Sequence, residues 1–186
     1  MKPAHFLFLS FFALAGCCVA ERCDCPSQAA ADDIALRFSR DTLSVPAVGF
    51  TARETFRLVL VRIPVDTSSG AKADSVLLDP HPVPADGAPD VVLRRGLLFP
   101  VGALGLGGYR YILRQFTKPN ARPRFRFELR DVVISSRYTT VNSCCTCYEN
   151  ARKEARVVNG TRVGPLLNLH VPPGSSQPAV VDLRKR

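Results

Sequence analysis

The chain has 186 residues, 46% hydrophobic and 22% charged, with 12 glycines and 15 prolines. That composition is globular, and it excludes disordered, collagen-like and polytopic membrane chains. A domain of this length buries about 70% of the surface its unfolded form exposes, so bridges among the seven cysteines supplement a core rather than replace one. The net charge is +9, and twenty of the twenty-five basic residues are arginines.

Residues 1–16 place Lys2 ahead of an apolar run from Phe6 to Ala15 that only Ser10 interrupts. This reads as a signal peptide, because a bilayer-spanning helix needs about 20 apolar residues. Every later apolar run is broken by Arg, Pro or Gly, so the expectation is an exported chain that is not an integral membrane protein. The stretch Leu14-Ala15-Gly16-Cys17 resembles the lipobox of bacterial lipoproteins. That resemblance implies that Cys17 becomes the first mature residue, with a diacylglyceryl group on its sulfur and an acyl chain such as palmitate on its amino group. Cys18, in place of Asp, implies delivery to the outer membrane. Each buried CH₂ of such an anchor contributes about 0.8 kcal/mol, and two or more chains make attachment stable. The alternative is an ordinary cut after Ala20, which gives a secreted chain starting at Glu21. Cysteine parity favours the lipid: with Cys17 acylated, Cys18, Cys23, Cys25, Cys144, Cys145 and Cys147 remain as an even set that can all pair.

Residues 17–31 read as the lipidated cysteine and a tether, 32–171 as the folded domain and 172–186 as a tail. Ile34, Leu36 and Phe38 alternate with Ala35, Arg37 and Ser39, which predicts a half-buried strand. Leu58 to Ile63 is apolar except for Arg62 and suits a central strand. Between Pro64 and Pro89 a stretch rich in Pro, Asp, Ser and Gly predicts an excursion, with Val76–Leu78 as a minor strand at most. Further strands are predicted at Val91–Leu93, Leu97–Phe99, Tyr109–Leu113, Phe125–Leu129, Val132–Ile134 continuing to Val141, and Leu167–Val171. Glu149–Arg156 holds good helix formers and a Glu149/Lys153 pair at i, i+4, so one short helix is expected there. Asn159-Gly160 between Val157-Val158 and Arg162-Val163 predicts an antiparallel hairpin, since both turn residues tolerate positive φ. Asn159-Gly160-Thr161 is also a glycosylation acceptor in a eukaryotic secreted chain, but the turn reading takes precedence. The tail either adds an edge strand at Val180–Leu183 or stays without regular structure. Many short strands with so little helix predict an all-β, antiparallel β-sandwich of the immunoglobulin or transthyretin kind, with at most one short helix.

Residues i and i+2 of a strand share a face, so Cys23 and Cys25 are expected to bridge to Cys145 and Cys147 as adjacent disulfides. Cys18 and Cys144 are then left for each other. The functional alternative is a four-thiolate zinc site from Cys23, Cys25, Cys145 and Cys147, although C-x-C is tighter than the usual zinc spacing. Catalysis has no support in the motifs: His81 and His170 lack a nucleophile motif, and Asp32, Asp33, Asp74, Asp79, Asp86 and Asp90 read as solvated-loop composition. Gly102–Gly108 fits no phosphate-loop spacing and reads as a flexible turn. Arginines between aromatics at Tyr109-Arg110-Tyr111 and Arg124-Phe125-Arg126-Phe127 follow from strand alternation, and export argues against nucleic acid.

The whole-protein expectation is a lipid-anchored envelope protein in a binding or structural role, with no enzymatic activity and no cofactor. Its segment from Arg137 to Gly160 and its layout are similar to those of uncharacterised cell-envelope lipoproteins. Partners are expected to be membrane lipid through acylated Cys17, an envelope protein, or an anionic polysaccharide or headgroup drawn by the positive charge. A second resemblance, from Cys23-Asp24-Cys25, is to the netrin-like modules of metalloproteinase inhibitors, which begin with C-x-C and fold as β-barrels. Here Arg22 precedes the first cysteine of the pair and mid-chain cysteines are missing.

Overall fold

Strands with one apolar face must cover that face, and here two sheets cover each other. The computed structural model describes residues 23, 25, 28–43, 45–55, 57–78, 90–100, 104–115, 124–170 and 178–185. Among them, β1 (Ile34–Phe38), β4 (Val91–Leu93) and β9 (Ala179–Leu183) form a three-stranded sheet in the order β4-β1-β9. The strands β2 (Leu58–Pro64), β3 (Asp74–Leu78), β5 (Tyr109–Gln115), β6 (Arg126–Thr140), β7 (Thr146–Asn159) and β8 (Arg162–Asn168) form a six-stranded sheet in the order β3-β2-β5-β6-β7-β8. The fold is an all-β sandwich. Its one described α-helix, α1 (Gln28–Asp32), lies in the segment read as a tether.

All pairings in the larger sheet are antiparallel, as expected, but β1 and β9 run parallel, with Ile34 opposite Ala179 and Phe38 opposite Leu183. The tail therefore completes the sandwich, and the domain extends past residue 171 to Leu183. Leu36, Leu60, Leu113, Leu129 and Val181 are buried where the sheets meet. Each such side chain contributes about 1.5–3 kcal/mol on leaving water. One end is closed by Phe38, Phe50, Phe125 and Phe127, edge-on or tilted, with centroids 5.0–6.4 Å apart.

Three expectations are corrected. Glu149–Arg156 is not a helix: it lies inside β7, hydrogen-bonded to β6 on one side and to β8 on the other over much of its length. Its helix propensity, a few tenths of a kcal/mol per residue, is outweighed by that pairing. Leu97–Phe99 is a turn rather than a strand, and Asp74–Leu78 is a full strand beside β2. The predicted hairpin is present, with Asn159 paired to Arg162 and Gly160 at φ 63°. The two-sheet arrangement also differs from the closed barrel that the netrin-like resemblance implies.

The β6–β7 hairpin is long because bulges reset its phase rather than end it. Between Arg130 and Val133 the register slips, with Asp131 at φ 54°, and it slips again between Ser135 and Ser136. An extra residue turns the strand by one face. Thus Phe127 and Leu129 point inward before the first bulge and Val132 after it.

Candidate functional site

The start of the described chain is fastened to the hairpin by two disulfides. Cys23 is bonded to Cys145 and Cys25 to Cys147, with Cα separations of 5.5 and 5.3 Å. The i, i+2 spacing on each side makes this possible, because extended backbone at the start of β7 sets Cys145, just before the strand, and Cys147, within it, on one face. The same four sulfurs formed the alternative zinc site; as disulfides they are no longer thiolates, so that reading is corrected. Cys144 is disulfide-bonded too, and its partner lies outside the described residues, as do Cys17, Cys18 and the expected lipid attachment. Such bridges belong to an oxidising, exported environment. No helix among the described residues is long and apolar enough to cross a membrane.

Beyond the bridges, α1 is held by polar groups from β7. Lys153, 1% exposed, donates from Nζ to the carbonyls of Ala31 (2.8 Å) and Asp33. Asn150 Nδ2 donates to the Ala31 carbonyl at 2.6 Å, and the Tyr148 hydroxyl donates to the Asp32 carboxylate at 3.0 Å. A short helix leaves its last carbonyls without partners, and a cation there satisfies them. Burial lowers the Lys153 pKa to about 8, against the opposing pull of Asp32 and Asp33. A helix would have set this lysine against Glu149; on the strand, Glu149 accepts instead from Arg137 Nε (2.7 Å) and Thr139 Oγ1 (2.6 Å) on β6.

Two aspartates expected in solvated loops are buried. Asp33 accepts both 3.0 and 2.9 Å hydrogen bonds from Arg94 Nε, with a third from Nη2. Asp90 accepts from the Phe38 backbone N–H at 2.6 Å and from Arg40. His170 is exposed, and His81 lies outside the described residues.

Arg94 leads from its pair with Asp33 to a cleft. Its wall includes Arg62, Arg94, Arg95, Phe99, Leu104 and Tyr109. Arg62 projects from β2 with its guanidinium carbon 4.6 Å from the Phe99 ring centre and 5.0 Å from that of Tyr109. Cation–π contacts of this kind contribute about 0.5–2 kcal/mol each. Tyr111 below donates its hydroxyl to the Leu106 carbonyl at 3.1 Å, and burial raises its pKa so that it stays protonated. The Gly-rich turn packs tightly on the hairpin: a Cβ on Gly107 would stand 2.9 Å from the Val132 carbonyl oxygen. Sequence reasoning misses this site. Its one signal is a charged residue interrupting the apolar run of β2, while the ring partners come from segments thirty-seven and forty-seven residues further on.

Among the described residues no group of three or more His, Cys, Asp or Glu is placed to hold a metal ion. Comparison with protein-family models, curated proteins and solved structures finds no match to this chain.

Proposed function

We propose that the protein is a lipid-anchored component of the outer membrane, exported by its leader and acylated on Cys17, whose β-sandwich binds an envelope component rather than catalysing a reaction. The observation that carries this reading is the bridged state of Cys144. Cys23, Cys25, Cys145 and Cys147 are bonded among themselves. A chain cut after Ala20 would therefore retain no cysteine for Cys144, whereas one starting at Cys17 keeps Cys18 for that bridge and gives its first sulfur to the lipid. The clamp supports the same reading. Cys23 follows Cys17 by six positions, a reach of at most about 20 Å. The disulfide-bonded part of the β6–β7 hairpin is then held close to the lipid surface.

Cell fractionation of the wild-type chain and Cys17→Ser tests the proposal. The wild type should follow the membranes and partition into detergent, and Cys17→Ser should be released with unchanged thermal stability. Equal partitioning of the two would reject the anchor.

A further inference from the structure

The cleft that holds Arg62 leaves part of its donor capacity unused among the described residues. Among the described residues three arginines line it and no acidic residue does, although Asp74 and Asp33 reach Arg62 and Arg94. A guanidinium carries five N–H donors. Arg62, with 13% of its side chain exposed, places one Nη2 contact on Asp74 at a long 3.4 Å, and its buried Nε has no hydrogen-bond partner. A buried cation so short of acceptors is unfavourable by itself, and an anion at the mouth would relieve it. Contacts with the Phe99 and Tyr109 rings already restrict the Arg62 side chain, so less of its entropy remains to be lost on binding. Arg95 is exposed and makes no ion pair or hydrogen bond among the described residues. Arg94, by contrast, is engaged by Asp33.

We propose that this cleft binds a compact oxyanion, a phosphate monoester or diester group, gripped by Arg62 and Arg95. Planar guanidinium forks match the oxygens of a phosphate, which favours this chemistry over a bare halide or a neutral ligand. The rings offer no stacking platform for a base or a sugar, because Phe99 and Tyr109 are only 8% and 4% exposed and already face Arg62. The site rests on the envelope reading and deepens it by naming what the binding surface takes. The phosphate comes either from a lipid headgroup or from a free phosphorylated small molecule.

The test uses the full chain carrying Cys17→Ser, so that binding is read without any acyl chain and a failure of anchoring remains a separate result. Binding is measured to phosphatidylcholine vesicles with and without phosphatidic acid, and to glycerol phosphate by calorimetry. Arg95→Gln, an exposed position, is compared with Arg62→Gln and with Arg162→Gln on the opposite edge strand. The expected result is affinity for phosphatidic acid vesicles, glycerol phosphate or both, weakened about tenfold or more by Arg95→Gln and Arg62→Gln and unchanged by Arg162→Gln. Vesicle binding alone assigns the headgroup as the source, and glycerol phosphate binding alone assigns the free ligand. Equal losses from Arg95→Gln and Arg162→Gln would reduce the effect to general charge and overturn the site, as would the absence of binding to either phosphate probe.

Discussion

Burying a lysine is unfavourable unless its ammonium meets acceptors, and Lys153 meets two backbone carbonyls at the end of α1 while Asp32 and Asp33 stand nearby. Its pKa of about 8 lies below the ordinary 10.5, so stability depends on pH in a defined direction. Between these values the unfolded chain holds the proton and the folded chain has released it, and raising the pH then favours the folded state. Below about pH 8 both states are charged and the contribution is flat at its least favourable. The unfolding free energy from urea titration should rise from pH 8 to 10.5, by no more than about 3 kcal/mol. Lys153→Met should lose that rise, and an identical slope in the variant would remove Lys153 as its source. At the other buried carboxylate, Asp90→Ala leaves the Phe38 N–H without its acceptor and should destabilise the protein by roughly 1–3 kcal/mol in denaturant titration. Neither role is legible in the sequence. Asp33, Asp90 and Lys153 carry the same letters as surface residues, and what buries them is a partner 50 to 120 positions away.

At the scale of elements, alternation locates most strands because period two is a local property. It fails where a bulge changes the phase at Asp131 and where good helix formers occupy β7, since pairing on both edges is not written in the segment that is paired. The Asn159-Gly160 turn is legible because its demand for positive φ is local. Gly160 sits at φ 63°, and a methyl placed on it would meet nothing within 4 Å, so Gly160→Ala should cost about 1 kcal/mol through backbone strain alone, seen as a lower melting temperature with unchanged binding. The bridges should behave cooperatively. Each described disulfide joins residues 122 apart, and both close nearly the same long loop. Replacing Cys25 and Cys147 together by Ser leaves that loop closed through Cys23–Cys145, at an expected cost of about 2 kcal/mol or less. Full reduction opens it and should cost about 5 kcal/mol or more. Equal losses from one pair and from full reduction would show that loop closure is not what the bridges contribute.

For the whole molecule, the class of fold is legible in the sequence, and C-x-C spacing shows that the sulfurs of each pair share a face, whereas which sulfur meets which is seen only in the structure. The sequence does not convey the parallel pairing of β1 with β9, formed between segments 145 residues apart with no local signal. Nor does it convey the cleft, which exists only once β2, β5 and the turn after β4 converge. What joins these levels is the segment of residues 23–33, bonded, capped and ion-paired to the sandwich. The most direct measurement is the intact mass of the mature protein, extracted with detergent from bacterial membranes, with and without reduction. The expected result is a chain beginning at Cys17 with its acyl groups and a gain of two hydrogens on reduction for each of three bridges. A lipid-free chain beginning at Glu21, with an unpaired thiol at Cys144, would contradict the anchored reading.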